Sequence, residues 1–438
     1  MMLSASTIAG IVVLLACFLR ATTVLGERGT LGPEALRKIV HMGLGVVCLS
    51  FPWIFASVTE LVVLCVCVLV LLLGVRSVPV LRARLGGGLY GVKRDSVGDL
   101  LFSVSVVLLF LYAKDTPALY VLPLLILTLS DSAAALAGTR FGRHFFQIPS
   151  GRKSWEGTFA FCGVTVLLSG LTLWLLTPLV PAAVFCIALL LGIVGCMVEA
   201  VSWHGADNLL VPLGMHLLLS GLVEKSPQAL ALTLLFLAGF ILCMLKISRF
   251  GQLSTHALIG SAIAAFFFWE AGGPLWLAGP LIVFMCHVLL TTLQGKDDEY
   301  SFRAVLSVIS CGIVWLFVYR HSLYPFAFLL FVLSMAIHLQ IIVLLRIRAL
   351  RGKQAEYPLV LAVCLFSGWL FLPVLLFFYG TDARYAPLYL SSLALMAAGG
   401  VAFRVKGERD GGGRWLRQTF YAMGGSLLGL VPVWIFTR

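Results

Sequence analysis

The chain has 438 residues, of which 61% are apolar or aromatic and only 11% charged, against roughly a quarter charged in a soluble domain. That composition excludes a water-soluble globular protein, and apolar runs of about 20 residues in close succession point to a polytopic membrane protein. Lys plus Arg outnumbers Asp plus Glu by 31 to 19, a formal charge of +12; in a membrane protein this reads first as basic cytoplasmic loops and second as a polyanionic ligand, with no call for nucleic acid.

In chain order the apolar runs fall near 6–26, 39–56, 58–75, 97–113, 117–137, 158–177, 181–200, 209–223, 228–245, 256–271, 275–293, 304–320, 324–345, 358–379, 386–403 and 418–437. Read as spans, they predict an all-α transmembrane helix bundle of about 16 crossings, because helices satisfy their own backbone in lipid. The alternation of a membrane barrel is absent. No basic residue precedes the first run, which predicts a retained span and not a cleaved signal peptide. If 27–38 is cytoplasmic, strict alternation leaves only Lys114, Lys225, Arg320, Arg384 and Arg438 on the opposite side, with Arg20 inside the first span. Both termini are then predicted on the non-cytoplasmic face. The 11 cysteines lie in apolar runs without a CxxC pair or a Cys/His cluster, which argues against a disulfide framework or zinc site.

Three polar constellations interrupt the first half. The earliest is Arg37-Lys38-Ile-Val-His41, whose three basic side chains share one helix face at the cytoplasmic end of a span. His41 reads equally as a proton acceptor for a hydroxyl or as a hydrogen-bonding structural group. The second runs from Asp131 to Gly157. Ala134, Gly138 and Gly142 recur every four residues, giving a smooth helical face where a backbone or a phosphate chain can come close. A carboxylate such as Asp131 in a span needs a partner, and magnesium bridging to nucleotide phosphates is one. Arg140, Arg143, Arg152 and Lys153 supply cations for a polyphosphate. A helix-packing face followed by an ordinary basic loop is the plain alternative.

The third constellation places Glu199 at the end of one span and Asp207-Asn208 at the start of the next, on the same predicted face as Asp131. Three carboxylates there suit one or two magnesium ions. Asp207-Asn208 also suits a simple helix cap.

The pattern Asp131, Ala134, Gly138, Gly142, Lys153, Ser154, Glu156, Gly157 resembles the nucleotide-binding signature of CTP-dependent polyprenol kinases (dolichol, phytol and farnesol kinases) and the related phosphatidate cytidylyltransferases. His204-Gly205-Ala206 followed by Asp207-Asn208 and Pro212 is similar to the kinases, since Leu210 stands where cytidylyltransferases carry a second Asp. Arg37-Lys38-x-x-His41 resembles a kinase string too, and Arg94, Ser96, Gly98 and Asp99 give a short further match. The resemblance covers about half the chain. It implies a catalytic domain over 1–250, with 251–438 a second helical bundle of unknown role.

What the resemblance implies is a lipid-alcohol kinase using CTP and magnesium on an isoprenoid alcohol in the bilayer, with a homodimer as the assembly to test. Asp131, Asp207 and Glu199 would hold the metal, and Lys153 would meet the transferring phosphate. Glu156 would orient Lys153 or join the metal, and His41 would serve the hydroxyl. Ala134, Gly138, Arg140, Gly142, Arg143, Arg152, Ser154, Gly157 and Asn208 would bind the nucleotide. Active-site loops are predicted in the cytoplasm, for a bacterial inner membrane, endoplasmic reticulum or plastid membrane alike. The alternatives are a phosphatidate cytidylyltransferase, which releases pyrophosphate, and a transporter or flippase of a lipid-linked anion, for which sixteen spans and an unassigned second half speak.

Overall fold

The computed structural model describes residues 2–29, 31–87, 98–148, 151–202, 205–248, 255–292, 302–320, 326–351 and 414–431, with positions 362, 366, 370, 371, 373, 374 and 434. The chain forms two compact units, Met1–Phe236 and Leu237–Arg438. The division falls inside the helix Pro227–Ser248.

Among the described residues, 8 helices are long and apolar enough to cross a membrane. This is an integral membrane protein built on helices. Five further apolar helices are shorter, and the predicted spans 358–379 and 386–403 lie almost wholly outside the described residues. Two of the short ones, Gly98–Ala113 and Asp207–Leu222, have 16 residues each. At about 1.5 Å per residue they reach roughly 24 Å, less than a hydrocarbon core of about 30 Å. Their N-termini lie side by side, since Asn208 Nδ2 donates to Gly98 O at 2.9 Å.

The first unit runs α1 (Met2–Glu27), α2 (Pro33–Leu49), α3 (Phe51–Ile54), α4 (Val58–Ser77), α5 (Pro79–Leu85), α6 (Gly98–Ala113) and α7 (Pro117–Leu125). A π turn at Ile126–Ser130 joins α7 to α8 (Asp131–Phe141), so 117–141 is one long rod with an irregular waist. Pro123 has no N–H to give inside that rod. Ser132 Oγ bonds back to Thr128 O at 2.7 Å, and Thr128 Oγ1 to Leu124 O at 2.7 Å. Such turns re-aim the residues that follow, and the residue that follows is Asp131.

The stretch 140–157, expected as a loop, carries the antiparallel hairpin β1 (Phe145–Ile148) and β2 (Gly151–Ser154), the departure from an all-α fold. It holds because Phe146 and Ile148 point inward on alternate positions and are buried, and Phe146 packs on Trp155 with ring centroids 4.9 Å apart. Ser154 then caps α9 (Trp155–Leu176), its Oγ accepting from Gly157 N at 3.2 Å. α10 (Pro181–Val201) packs tightly on α9: a Cβ at Gly192 would overlap Val166, and one at Gly195 would press on Phe161 and Met215. α11 (Asp207–Leu222) closes the unit, followed by α12 (Pro227–Ser248).

The second unit contains α13 (Thr255–Gly272), α14 (Pro274–Thr292), α15 (Phe302–Arg320), α16 (Ala327–Arg351) and α17 (Arg414–Leu428). Its core centres on fully buried Trp276, stacked on Phe331 at 4.5 Å and edge-on to Phe328 at 5.3 Å.

Candidate active site

α2 shows how one helix builds a site. Its residues Glu34, Arg37, Lys38 and His41 occupy the first turns of one face, and Leu44, Val47 and Cys48 continue that face in apolar form. All of them line one cavity of about 790 Å³ in the first unit. Glu34 receives Arg37 at 2.6 Å, a one-turn pair at the mouth.

Deeper in, two buried ion pairs define the polar end. Lys38 Nζ donates to Asp131 Oδ2 at 2.5 Å, and both residues are buried. His41 Nε2 lies 3.1 Å from Leu127 O and 3.6 Å from the same Asp131 oxygen. The other pair joins β2 to α10: Lys153 Nζ donates to Glu199 Oε1 at 2.6 Å and also to Glu199 O. Buried charges persist when paired and hydrogen-bonded, and removing one partner typically costs about 3–5 kcal/mol.

The structure gathers most of the predicted site residues. Asp131, Ala134, Gly138, Arg152, Lys153, Ser154, Gly157, Glu199, Asp207, Asn208 and His41 all line this cavity. Segments 37–41, 131–158 and 199–208 therefore meet at one end of the unit. Arg152 lies over the Phe145 ring at 4.3 Å, which fixes a flexible cation at the wall. Asp207 opens α11, with its Oδ1 accepting from Asn208 N at 3.2 Å, and no side chain caps that helix. Gly205, just before, has φ +86°, a left-handed turn that favours glycine. Trp203, His204, Arg94 and Ser96 lie outside the described residues.

Several predicted roles differ in the structure. Arg140 and Arg143 are exposed and absent from the cavity wall, and Arg140 lies beside the Phe141 ring. Gly142 ends α8 instead of extending its smooth face. The partner of that face is the start of α9: a Cβ on Gly157 would sit 2.8 Å from Ala134 O, and one on Gly138 2.9 Å from Ser154 Oγ. Glu156 does not touch Lys153; its Oε1 meets His144 Nδ1 at 2.8 Å and accepts from His144 N at 3.1 Å, pinning the hairpin's entry. The lysine is oriented by Glu199.

The residue that sequence reasoning left unassigned is Lys38, as the partner of Asp131. The signal was present: a carboxylate in one span calls for a cation in another, and Lys38 is one turn before His41 on the same face.

As for a metal, no three His, Cys, Asp or Glu side chains among the described residues lie close enough to share an ion. Asp131 and Glu199 already hold lysines, whereas Asp207 has no ion pair among the described residues. Magnesium is commonly bound by one or two carboxylates together with substrate phosphates, and the donor set fits that arrangement but not an all-protein cage.

The phytol kinase of Synechocystis sp. is 34% identical to this chain over 207 residues, which make up 45% of this chain and 83% of the relative. No family model matches the chain, and no solved structure matches it. At that identity and coverage, with the signature residues of both lysine–carboxylate pairs around one cavity, the chain belongs to the polyprenol/phytol kinase family.

Proposed function

We propose that the protein is a lipid-alcohol kinase that transfers the γ-phosphate of CTP to the hydroxyl of an isoprenoid alcohol. The observation that carries this reading is a single cavity whose one end is charged and whose other end is apolar, in a member of a kinase family. An amphipathic alcohol needs such a chamber, and a soluble anion does not.

In the reaction the alcohol oxygen bonds to the γ-phosphorus, the bond from that phosphorus to the β,γ-bridging oxygen breaks, and CDP leaves with that oxygen. The hydroxyl proton goes to His41. With Nε2–H donated to Leu127 O, the other ring nitrogen, Nδ1, is the one with a lone pair for it. Asp131 holds Lys38 and neighbours the imidazole, so it stabilises the imidazolium that forms. Lys153, steadied by Glu199, and Arg152 face the phosphates and neutralise charge developing in flight. The N-terminal amides of α9 beside Ser154 add partial positive charge from the helix end. Magnesium, when bound by Asp207 and Asp131 with the phosphates, supplies further charge neutralisation. Sidedness follows the basic loops, with the charged end at the cytoplasmic surface.

The deciding experiment incubates purified protein with γ-labelled CTP or ATP and a panel of prenyl alcohols and diacylglycerol. A labelled prenyl monophosphate with CDP as co-product is expected. Pyrophosphate release with phosphatidate would replace this reading by a cytidylyltransferase, and transfer from ATP alone would overturn the choice of donor.

A further inference from the structure

The π turn at Ile126–Ser130 lies beside the reacting groups, and so irregular a piece of helix persists only where its surroundings hold it. A π turn closes i→i+5 in place of i→i+4, which splays its carbonyls and leaves them open to other donors. Leu127 O is met by His41 Nε2 at 3.1 Å, and Asp131, the first residue after the turn, receives Lys38 at 2.5 Å. Two neighbours grip the turn. From α2, Gly45 lies so close to Thr128 that a Cβ there would overlap the threonine side chain. From α9, Thr165 Oγ1 donates to Ser130 Oγ at 2.9 Å, with both residues fully buried. A threonine inside a helix commonly bonds its own carbonyl four residues back, as Thr128 and Thr158 do. Thr165 instead reaches across to another helix. Neither Thr165 nor Ser130 lines the cavity, and the transfer steps above use neither. One turn farther along α9, Ser169 is just as buried, and its hydroxyl makes no hydrogen bond among the described residues.

We infer that Thr165 and Ser130 are positioning residues: their hydrogen bond holds the π turn open, and the open turn aims Asp131 at Lys38 and Leu127 O at His41. The step that is aimed rests on the lipid-alcohol kinase reading above. Without the bond the turn is free to tighten toward α geometry, in which Leu127 O takes the N–H of Asp131, four residues on. That carbonyl is then lost to His41, and Asp131 is drawn off Lys38 along with its own backbone. α9 follows directly on β2, which carries Lys153. The same helix therefore keeps the phosphate-facing lysine and the hydroxyl-facing histidine in one register. Phosphoryl transfer depends on that alignment, and a misplacement of about 1 Å costs about a hundredfold.

The test measures kcat and both KM values with a prenyl alcohol and CTP. Thr165→Val keeps the shape and drops the hydroxyl, so kcat should fall at least about tenfold with each KM within about twofold of wild type. Thr165→Ser keeps the hydroxyl and should restore kcat to within about threefold. The double variant Thr165→Val/Ser130→Ala also removes the stranded Ser130 hydroxyl, so abundance should recover and kcat should not. Ser169→Ala, the control, should match wild type. A wild-type kcat in Thr165→Val, or a kcat that recovers with abundance in the double variant, would overturn the inference. If Thr165→Val does not accumulate, Ser130→Ala, which removes the acceptor, decides by the same measures. A second readout is independent of turnover. A carbodiimide couples a carboxylate to an amine in direct contact, so in membranes it should join Asp131 to Lys38 as an amide, the water lost converting the carbodiimide to a urea. By mass spectrometry this crosslink should match wild type in Thr165→Ser and Ser169→Ala and fall at least about threefold in Thr165→Val. Equal yields in all, or no crosslink in the wild type, would refute the positioning pair. A crosslink lost in Thr165→Val from a protein that phosphorylates no prenyl alcohol would leave the pair standing and refute the kinase reading instead.

Discussion

The two units are both apolar helical bundles, yet they bury different chemistry. The first encloses Lys38, Asp131 and Glu199 around a cavity. In the second, the buried polar residues that are described are Ser, His and Gln, such as Ser307, His338 and Gln418, with no Asp, Glu, Lys or Arg among them. There His338 is tied to Ser334 O at 2.9 Å and to Ser307 Oγ at 3.3 Å, a hydrogen-bonded core. Buried ions in an apolar bundle are expensive and are kept where a function uses them. On the function proposed above, the contrast puts the chemistry in the first unit, and the comparison can be broken most sharply at Asp131.

Asp131→Asn should lower phosphoryl transfer by at least about a thousandfold, some 4 kcal/mol of transition-state stabilisation. It also strands Lys38 in a buried site, which lowers stability by about 3–5 kcal/mol. The double variant Lys38→Met/Asp131→Leu separates the two effects: abundance and thermal stability in membranes should recover, while activity should not. Recovered turnover in the double variant would make the pair a structural strut, and the two units would no longer differ in kind. The matching change in the second unit, His338→Phe, should leave turnover per folded molecule within about twofold.

Lys153 gives a smaller effect that sharpens the same point. Arg has another shape and reach, so Lys153→Arg should keep topology and abundance but lower turnover at least about tenfold, roughly 1.4 kcal/mol. Lys153→Ala should lose more, because Glu199 then stays buried without its cation. Wild-type rates in both would mean that the charged wall tolerates any arrangement.

Legibility in the sequence followed from locality. Helical character, the crowding of small residues at 134–157 and the family signature are properties of neighbouring residues, and they could be read directly. That Lys38 in particular is the partner of Asp131 came only with the structure, because the two residues lie 93 positions apart and packing sets their register. Arg140 and Arg143 were placed with the nucleotide on charge alone; Arg140 lies in the last turn of α8 and Arg143 just beyond that helix, both exposed, while Arg152 and Lys153 of β2 line the cavity. Among the described residues 8 helices are long enough to cross, whereas hydropathy counts an apolar run of 16 residues such as Gly98–Ala113 without weighing its length against the bilayer.

Removing the second unit tests the comparison as a whole. A fragment of residues 1 to about 250 contains every residue of the cavity, so in membranes it should keep turnover within about tenfold of the full chain, measured per folded molecule. Complete loss in a folded fragment would give 251–438 a direct part in substrate holding.

The smallest effect among the signature residues is expected at Glu156, and it separates contact with phosphate from support of the hairpin. Its position within the signature string suggests a role beside Lys153, but its carboxylate is spent on His144, both on the backbone N–H and on the ring. His144 itself is largely exposed, and exposed pairs of this kind contribute little because water screens them. An amide at 156 keeps an oxygen that accepts from His144 N, so Glu156→Gln should preserve the hairpin's entry and hold turnover within about threefold of wild type. Glu156→Ala removes both acceptors, frees the start of β1 and should fall between Glu156→Gln and Lys153→Arg, with a raised KM for nucleotide as its main sign. Lys153 is then still held by Glu199, which is why the loss stays partial. A Glu156→Gln variant as inactive as Asp131→Asn would instead put this carboxylate on the metal or the phosphate, and the pairing of Lys153 with Glu199 would no longer account for how the lysine is aimed.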